Sequence, residues 1–270
     1  MESDDLPIGE KEEAPLAQGA GAGAYAMFWR WTLLVSFACL AARAQDTQFL
    51  PELDAHLTLN RSLKTYLQAK DDREGGDPAQ FTFGPSIQFQ HKPLVRLERV
   101  TLFDLDEEKS RPLVLESGYR IITAPDASPE NRAIEAATFR FPPGAGFLLS
   151  DRNRADLDWQ NSRFTWRYRN KLTLERTFSV GSYHLIPFLA AEPFYTSQYS
   201  KWSSTDLYAG CTFPVGRHVQ FNSYYEHENN TGKKPNRQNN YFGAALHFYF
   251  SLESSSHSPS KGTKPGANTR

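Results

Sequence analysis

Charged side chains recur at alternate positions in the second half of the chain, where their spacing would place them on one face. The first four, at odd positions, lie within the segment 163–171. The set as a whole comprises Arg163, Arg167, Arg169, Lys171, Glu175, Glu192, Asp206 and Glu226. Such a face could bind an anionic solute, line a polar pore, or pair internally as a salt-bridge network. We favour internal pairing, because the two signs of charge recur on neighbouring segments and long side chains fill a narrow interior.

His227 is the candidate for catalysis, because a histidine between Glu226 and Glu228 could act as a general base. A lipid-modifying hydrolase would also need a nucleophile within hydrogen-bond reach of that base. Ser223 falls on the same face, but four residues of extended chain span about 13 Å. The sequence therefore predicts no Ser–His pair, and it favours a non-catalytic protein.

Other kinds of site have little support in the sequence. The histidines are scattered, and the acidic turn Asp104–Glu108 lacks the glycine of a calcium loop, so we expect no metal and no cofactor. Residues 1–44 contain three basic and six acidic residues, which leaves a net charge of about +2 on the rest. A nucleic-acid partner would require a strongly basic face, so none is expected.

The segments that carry these charges alternate apolar and polar residues with period two, which is typical of β-strands. Between the odd charged positions of Arg163–Arg176 lie Phe164, Trp166, Tyr168, Leu172 and Leu174. Similar segments of roughly ten residues, bounded by turn residues, recur along the chain and indicate a transmembrane β-barrel. A soluble barrel is the alternative, since alternation alone does not reveal which face is inside. The opposite charges on neighbouring segments favour a narrow polar lumen.

We predict an all-β fold, an antiparallel up-and-down transmembrane barrel of about twelve strands. The predicted strands are Leu53–Leu59, Leu63–Lys70, Gln80–Gln90, Leu94–Leu105, Pro112–Ile122, Arg132–Phe141, Phe147–Asp158, Arg163–Arg176, Tyr183–Tyr195, Trp202–Val215, Val219–His227 and Tyr241–Phe250. Bacterial barrels prefer even strand counts, so ten strands is the second choice if neighbouring segments merge.

The N-terminal region has the composition of an export signal. Residues 27–44 combine an early positive charge, an apolar run and small residues at Ala42 and Ala44, which predicts cleavage before Gln45. A membrane anchor is the alternative, but the apolar run is shorter than the ~20 residues that a spanning helix needs. Residues 1–26 are interpreted as a mis-assigned or disordered extension, 45–250 as the barrel, and 251–270 as a disordered tail.

The last strand also carries a possible assembly signal. Its pattern of a polar residue, glycine, an apolar residue and aromatics resembles the signal with which outer-membrane barrels are recognised by their assembly machinery. The residues are Tyr241, Gly243, Leu246, Phe248 and Phe250. The resemblance implies export to a Gram-negative outer membrane, with outer-membrane lipid and the assembly machinery as partners.

Several segments together resemble a bacterial family catalogued as domain of unknown function 2490. They are Phe164–Arg176, Ala191–Tyr195, Leu207–Gly210 and Tyr224–Asn229. The likeness extends from about Leu53 to Phe250. It implies an outer-membrane β-barrel but no reaction and no catalytic residue.

From these observations we expect an outer-membrane barrel that is structural or passes solutes. An outer-membrane lipid-modifying hydrolase and a soluble periplasmic binding barrel are the alternatives. Activity that depends on His227 would favour the first alternative, and recovery in the soluble periplasmic fraction would favour the second.

Overall fold

The structure, a computed structural model, describes residues 47–74, 77–91, 111–181, 183–216 and 218–252. Several predicted features lie outside these ranges: the N-terminal extension, the signal peptide with its cleavage site, the strand Leu94–Leu105, the acidic turn Asp104–Glu108, and residues 253–270. The described residues contain no helix whose length and hydropathy would let it span a bilayer.

The described residues form twelve β-strands joined mostly by short turns. The strands are β1 Thr47–Asn60, β2 Leu63–Glu74, β3 Asp77–Gln90, β4 Leu113–Ala124, β5 Ala127–Gly144, β6 Phe147–Gln160, β7 Arg163–Arg176, β8 Phe178–Val180, β9 Tyr183–Thr196, β10 Lys201–Val215, β11 Val219–Asn230 and β12 Arg237–Ser251. The two-residue turns Ala145–Gly146 and Asn161–Ser162 have positive φ at both positions, as a type I′ hairpin requires.

Eleven of these strands close into a barrel. Successive strands pair antiparallel, β9 pairs with both β7 and β10, and β1 pairs with β12 to complete the ring. The remaining strand, β8, has three residues and pairs only with β9. The prediction of an all-β, up-and-down barrel of about twelve strands is confirmed, with one strand outside the ring.

The seam between β1 and β12 is parallel, which differs from the expected antiparallel closure. Its register is continuous from Thr47 opposite Asn240 to Thr58 opposite Ser251. The cause is the odd strand count, since a meander of eleven strands leaves its first and last strands running in the same direction. β3 and β4 pair directly with each other, so the ring holds no strand between them.

The two faces of the barrel have opposite polarity. Each of the eleven ring strands exposes at least one large apolar or aromatic side chain on the outside, among them Phe83, Leu172 and Leu207. Within the described residues, the buried side chains are more often polar or charged than apolar, and Asp156 and Arg120 are among the most deeply buried. This is the reverse of a soluble barrel, whose interior is apolar.

Gly243 has a packing role at the β11–β12 pair. Tyr224 lies directly across from Gly210 on one side and Gly243 on the other. A Cβ atom on Gly243 would lie 2.0 Å from the Tyr224 ring. Glycine in a strand often marks such a close approach.

Gly243→Ala should therefore force Tyr224 out of its position and lower the free energy of unfolding by about 1–3 kcal/mol, the usual effect of overpacking. Urea unfolding of the detergent-folded protein would measure the change. In a protein that already carries Tyr224→Ala, the further change Gly243→Ala should no longer lower the free energy of unfolding. A Gly243→Ala protein as stable as the wild type would contradict this packing role.

Candidate functional site

The interior of the barrel encloses a cavity of about 960 Å³ that is lined by residues from all eleven ring strands. Its lining extends along β7 from Arg163, the first residue, to Glu175, the last but one. Twelve residues of extended strand span about 40 Å. The cavity is therefore a lumen that follows most of the length of the barrel, and its charged lining is the candidate site.

Like charges lie directly opposite each other where β6 pairs with β7. Arg154 is across from Arg169, and Arg152 is across from Lys171. Like charges in such positions destabilise a sheet unless carboxylates intervene. These cations, together with Arg132 of β5, form the basic arc of the lumen.

Asp156 neutralises the middle of the basic arc. Its side chain is 0% exposed and forms an ion pair with Arg154 Nε. Arg167 Nη2 lies 3.5 Å and Arg169 Nη1 3.7 Å from its other oxygen, Oδ2. One carboxylate thus forms ion pairs with three guanidinium groups.

Glu192 of β9 connects the basic arc to the next part of the wall. It accepts a hydrogen bond from Arg169 Nε at 2.8 Å and lies 3.8 Å from Lys171 Nζ. Tyr208 OH donates to its second oxygen at 3.0 Å. The Lys171 ammonium also lies 3.6 Å from the Tyr208 ring centroid, a cation–π contact.

An acidic arc adjoins this basic arc along the lumen wall, because β7 pairs directly with β9. Glu192, Asp206 and Glu228 occupy directly opposed positions on β9, β10 and β11. Neutral groups donate hydrogen bonds to this arc, including Tyr241 OH to Glu228 at 2.8 Å. Glu226 lies on the same face of β11, two residues from Glu228. The lumen wall therefore carries a basic arc and an acidic arc side by side.

A second buried network joins β2, β3 and β4. Arg120 is 1% exposed and donates hydrogen bonds to Gln68 Oε1 at 2.8 Å and to the Pro85 carbonyl at 2.7 Å. It also donates to Ser86 Oγ at 3.0 Å and Tyr66 OH at 3.2 Å. Because these acceptors come from two neighbouring strands, Arg120 fixes three strands relative to one another.

Glu116 lies beside that network and extends it toward the basic arc. It accepts hydrogen bonds from Tyr66 OH at 2.6 Å and from Arg152 Nη2 at 3.1 Å. The two charged networks thus meet at Glu116, on the wall formed by β4 and β6.

The structure brings some of the predicted lumen residues together and separates others. Arg167, Arg169, Lys171 and Glu192 share one network with Asp156. Asp206 and Glu226 belong to the acidic arc. Arg163 and Glu175 line the lumen near opposite ends of β7.

The sequence-based prediction missed the charges of β4 and β6. Arg152, Arg154 and Asp156 sit at even positions of a segment whose odd positions are largely apolar or small, so alternation carried the signal for β6. Arg120 and Glu116 had no comparable signal, because their partners on β2 lie about fifty residues away in sequence.

His227 lies on the outer face, and none of the described residues directly across from it on β10 and β12 could serve as a nucleophile. Its Nδ1 is 2.8 Å from Asn240 Oδ1. The residues directly across from it are Leu207 and Asn240, neither of which is a nucleophile. Ser223 lies instead across from Cys211 and Ala244.

The residues of the predicted assembly signal divide between the two faces. Tyr241 points into the lumen, and Gly243 is buried beneath Tyr224. Leu246 and Phe250 are exposed on the outside. Phe248 shares their parity and is partly exposed.

Comparison with known proteins identifies a family but no characterised relative. A family model described as a protein of unknown function, DUF2490, matches residues 57–239, well over half of the chain. No curated protein matches the sequence. No solved structure matches it either.

Proposed function

We propose that this chain, which belongs to the DUF2490 family of proteins of unknown function, is an outer-membrane β-barrel that passes small ions and dipolar solutes through a charged lumen. The observation that carries the proposal is the polarity of the wall, with apolar side chains outside and a charged, 960 Å³ cavity inside. No catalytic role is included, because His227 lacks a nucleophile across from it.

The outer surface supports a lipid environment. Phe83, Leu172, Leu207 and comparable side chains on every ring strand would remain in contact with water in a soluble protein. Soluble monomers rarely expose such extensive apolar surface. An arginine or lysine that faced lipid near the bilayer centre would cost about 2–4 kcal/mol. Those of β6 and β7 line the lumen instead, except for Arg176 at the end of β7.

Polar side chains on the outer face are largely paired with one another. Ser117 donates a hydrogen bond to Glu135 at 2.8 Å, and Asn170 donates one to Asp151 at 2.6 Å. Internal pairing of this kind lowers the penalty for placing polar groups against lipid. These contacts are therefore compatible with the proposed membrane location.

The lumen supports passage of small charged species. A basic arc on β5–β7 and an acidic arc on β9–β11 allow a cation and an anion to travel along different parts of the wall. The bore is constricted by long paired side chains, so large solutes would be excluded. This combination favours small ions and molecules that carry both signs of charge.

The first test is the location and closure of the barrel. The full chain should be recovered in the outer-membrane fraction of a Gram-negative host. Its detergent-folded form should migrate differently on a gel before and after boiling. Recovery in the soluble periplasmic fraction without a mobility shift would overturn the proposal.

The second part of the test measures ion passage in planar bilayers. Glu228→Gln removes a carboxylate of the acidic arc whose donors, including Tyr241 and Asn239, are neutral, so no cation is left uncompensated. We expect a conducting channel whose selectivity shifts toward anions in this variant. Glu135→Gln, the same change on the outer face, is the matched control and should leave selectivity unchanged. A barrel without conductance, or equal shifts in both variants, would contradict solute passage.

A further inference from the structure

The parallel seam brings together three side chains that can bind metal ions. Asp54 of β1 lies directly across from His247 of β12, and His56 is two residues farther along β1 on the same face. All three side chains line the lumen. The two histidines come from opposite ends of the sequence, so their spacing gave no indication of a shared site.

The geometry of this seam cluster, Asp54, His56 and His247, is compact. Asp54 Oδ2 lies 3.1 Å from His247 Nδ1, and one potential ligand atom from each residue lies within 4.8 Å of the others. Asp54 and His56 are buried, with 5% and 8% exposure. The second carboxylate oxygen, Asp54 Oδ1, is buried and has no hydrogen-bond partner within the described residues.

We infer that the seam cluster binds one divalent transition-metal ion of the Zn²⁺ type. Two imidazole nitrogens and one carboxylate oxygen form a donor set suited to such ions. In a tetrahedral zinc site, bonds of about 2.0–2.2 Å place the donors roughly 3.4 Å apart. The present spacing of up to 4.8 Å would have to shorten to that value when an ion binds.

The surroundings favour a defined site with an open position. The His56 ring stacks on Tyr249 at 4.8 Å and packs against Tyr66 at 5.0 Å, which restricts its orientation. Because the cluster faces the lumen, a hydrated ion has a route to it, and water can complete the coordination. A bound ion would also satisfy the buried Asp54 Oδ1.

A metal ion at this position links the first and last strands of the barrel. Asp54 and His56 belong to β1, whereas His247 belongs to β12. Parallel pairs are slightly less stable per residue than antiparallel pairs. The bound ion would therefore stabilise the one parallel pair among the described strands of the ring. This inference goes beyond the proposed function, and its test does not depend on ion passage.

The test uses the untagged full chain, folded in detergent after treatment with a chelator. Calorimetric titration with Zn²⁺ should give one ion per chain, and saturation should raise the melting temperature. His247→Ala should weaken binding at least about 100-fold, because loss of a ligand exceeds the roughly 10–100-fold effect of losing its outer-shell support. Asp54→Asn should also weaken binding while preserving side-chain shape.

His227→Ala is the matched control, since it removes a histidine from the outer face of the neighbouring strand β11. This variant should bind Zn²⁺ as the wild type does. Failure of the wild type to bind, or equal weakening in His227→Ala and His247→Ala, would overturn the inference. If the His247 variant does not fold, Co²⁺ added to the wild type provides a separate readout. The absorption bands of protein-bound Co²⁺ should appear at one equivalent, and their absence would overturn the inference.

Discussion

Asp156→Asn should lower the free energy of unfolding by about 3–5 kcal/mol, the usual consequence of removing one member of a buried ion network. The carboxylate is completely buried and forms ion pairs with Arg154, Arg167 and Arg169. Asparagine preserves its shape but removes its charge. The repulsion between the directly opposed Arg154 and Arg169 would then be only partly compensated, by Glu192. Urea unfolding of the detergent-folded barrel measures the loss.

A double-mutant cycle distinguishes this electrostatic explanation from a simple packing defect. In Asp156→Asn, Arg167 still has Asp158 as an ion-pair partner, and Arg169 still has Glu192. Arg154 therefore depends most on Asp156 for charge compensation. Arg154→Gln combined with Asp156→Asn should therefore recover part of the lost stability. The matched control is Asp71→Asn, whose partner Arg73 is 45% exposed, and it should change stability by no more than about 1 kcal/mol. Equal losses in Asp71→Asn and Asp156→Asn would contradict the explanation.

Arg120→Lys should destabilise the barrel by at least about 3 kcal/mol, although it conserves charge. Hydrogen bonds from a charged donor contribute roughly 1.5–3 kcal/mol each, and Arg120 donates to Gln68, Ser86 and Tyr66, among others. A lysine ammonium cannot reproduce the planar fork of a guanidinium. Since the positive charge remains, the loss of stability would come from the hydrogen bonds that the lysine cannot form.

Arg163→Lys is the control for this variant, since Arg163 is exposed at the end of the lumen. It should unfold at nearly the same urea concentration as the wild type. Hydrogen exchange would locate the effect of Arg120→Lys, with faster exchange expected in β2, β3 and β4 than in β10 and β11. Uniform acceleration throughout the barrel, or wild-type stability, would count against the proposed role of Arg120.

Local alternation carried much of the information about the fold. Most residues of β7 alternate between charged or small polar groups and large apolar groups, with Asn170 and Arg176 as exceptions, so Arg167 and Arg169 could be assigned to one face directly. The same reasoning identified β12 from Tyr241–Phe250. Period two is a local property, and it survives in any antiparallel arrangement of the strands.

Long-range arrangement was much harder to predict. The expectation of an even strand count rested on a preference among bacterial barrels, whereas the ring contains eleven strands because β3 pairs directly with β4. The approach of His56 to His247 depends on that odd number. The role of Arg120 likewise depends on the neighbours β2 and β3, which no local pattern specifies.

The parallel seam has a consequence for how the chain reaches its native topology. Joining Thr47 to Asn240 closes a loop that includes most of the chain, so this contact has the greatest loop-closure entropy and adds strongly to contact order. Ten of the eleven pairings in the ring join strands that follow one another in the chain, but β1 and β12 can never be the two arms of one hairpin. Until they meet, each presents an unpaired edge to other chains. Exchange of β1 between two molecules would satisfy both edges, so a strand-swapped dimer is the misfolded product that we expect of a barrel closed in this way.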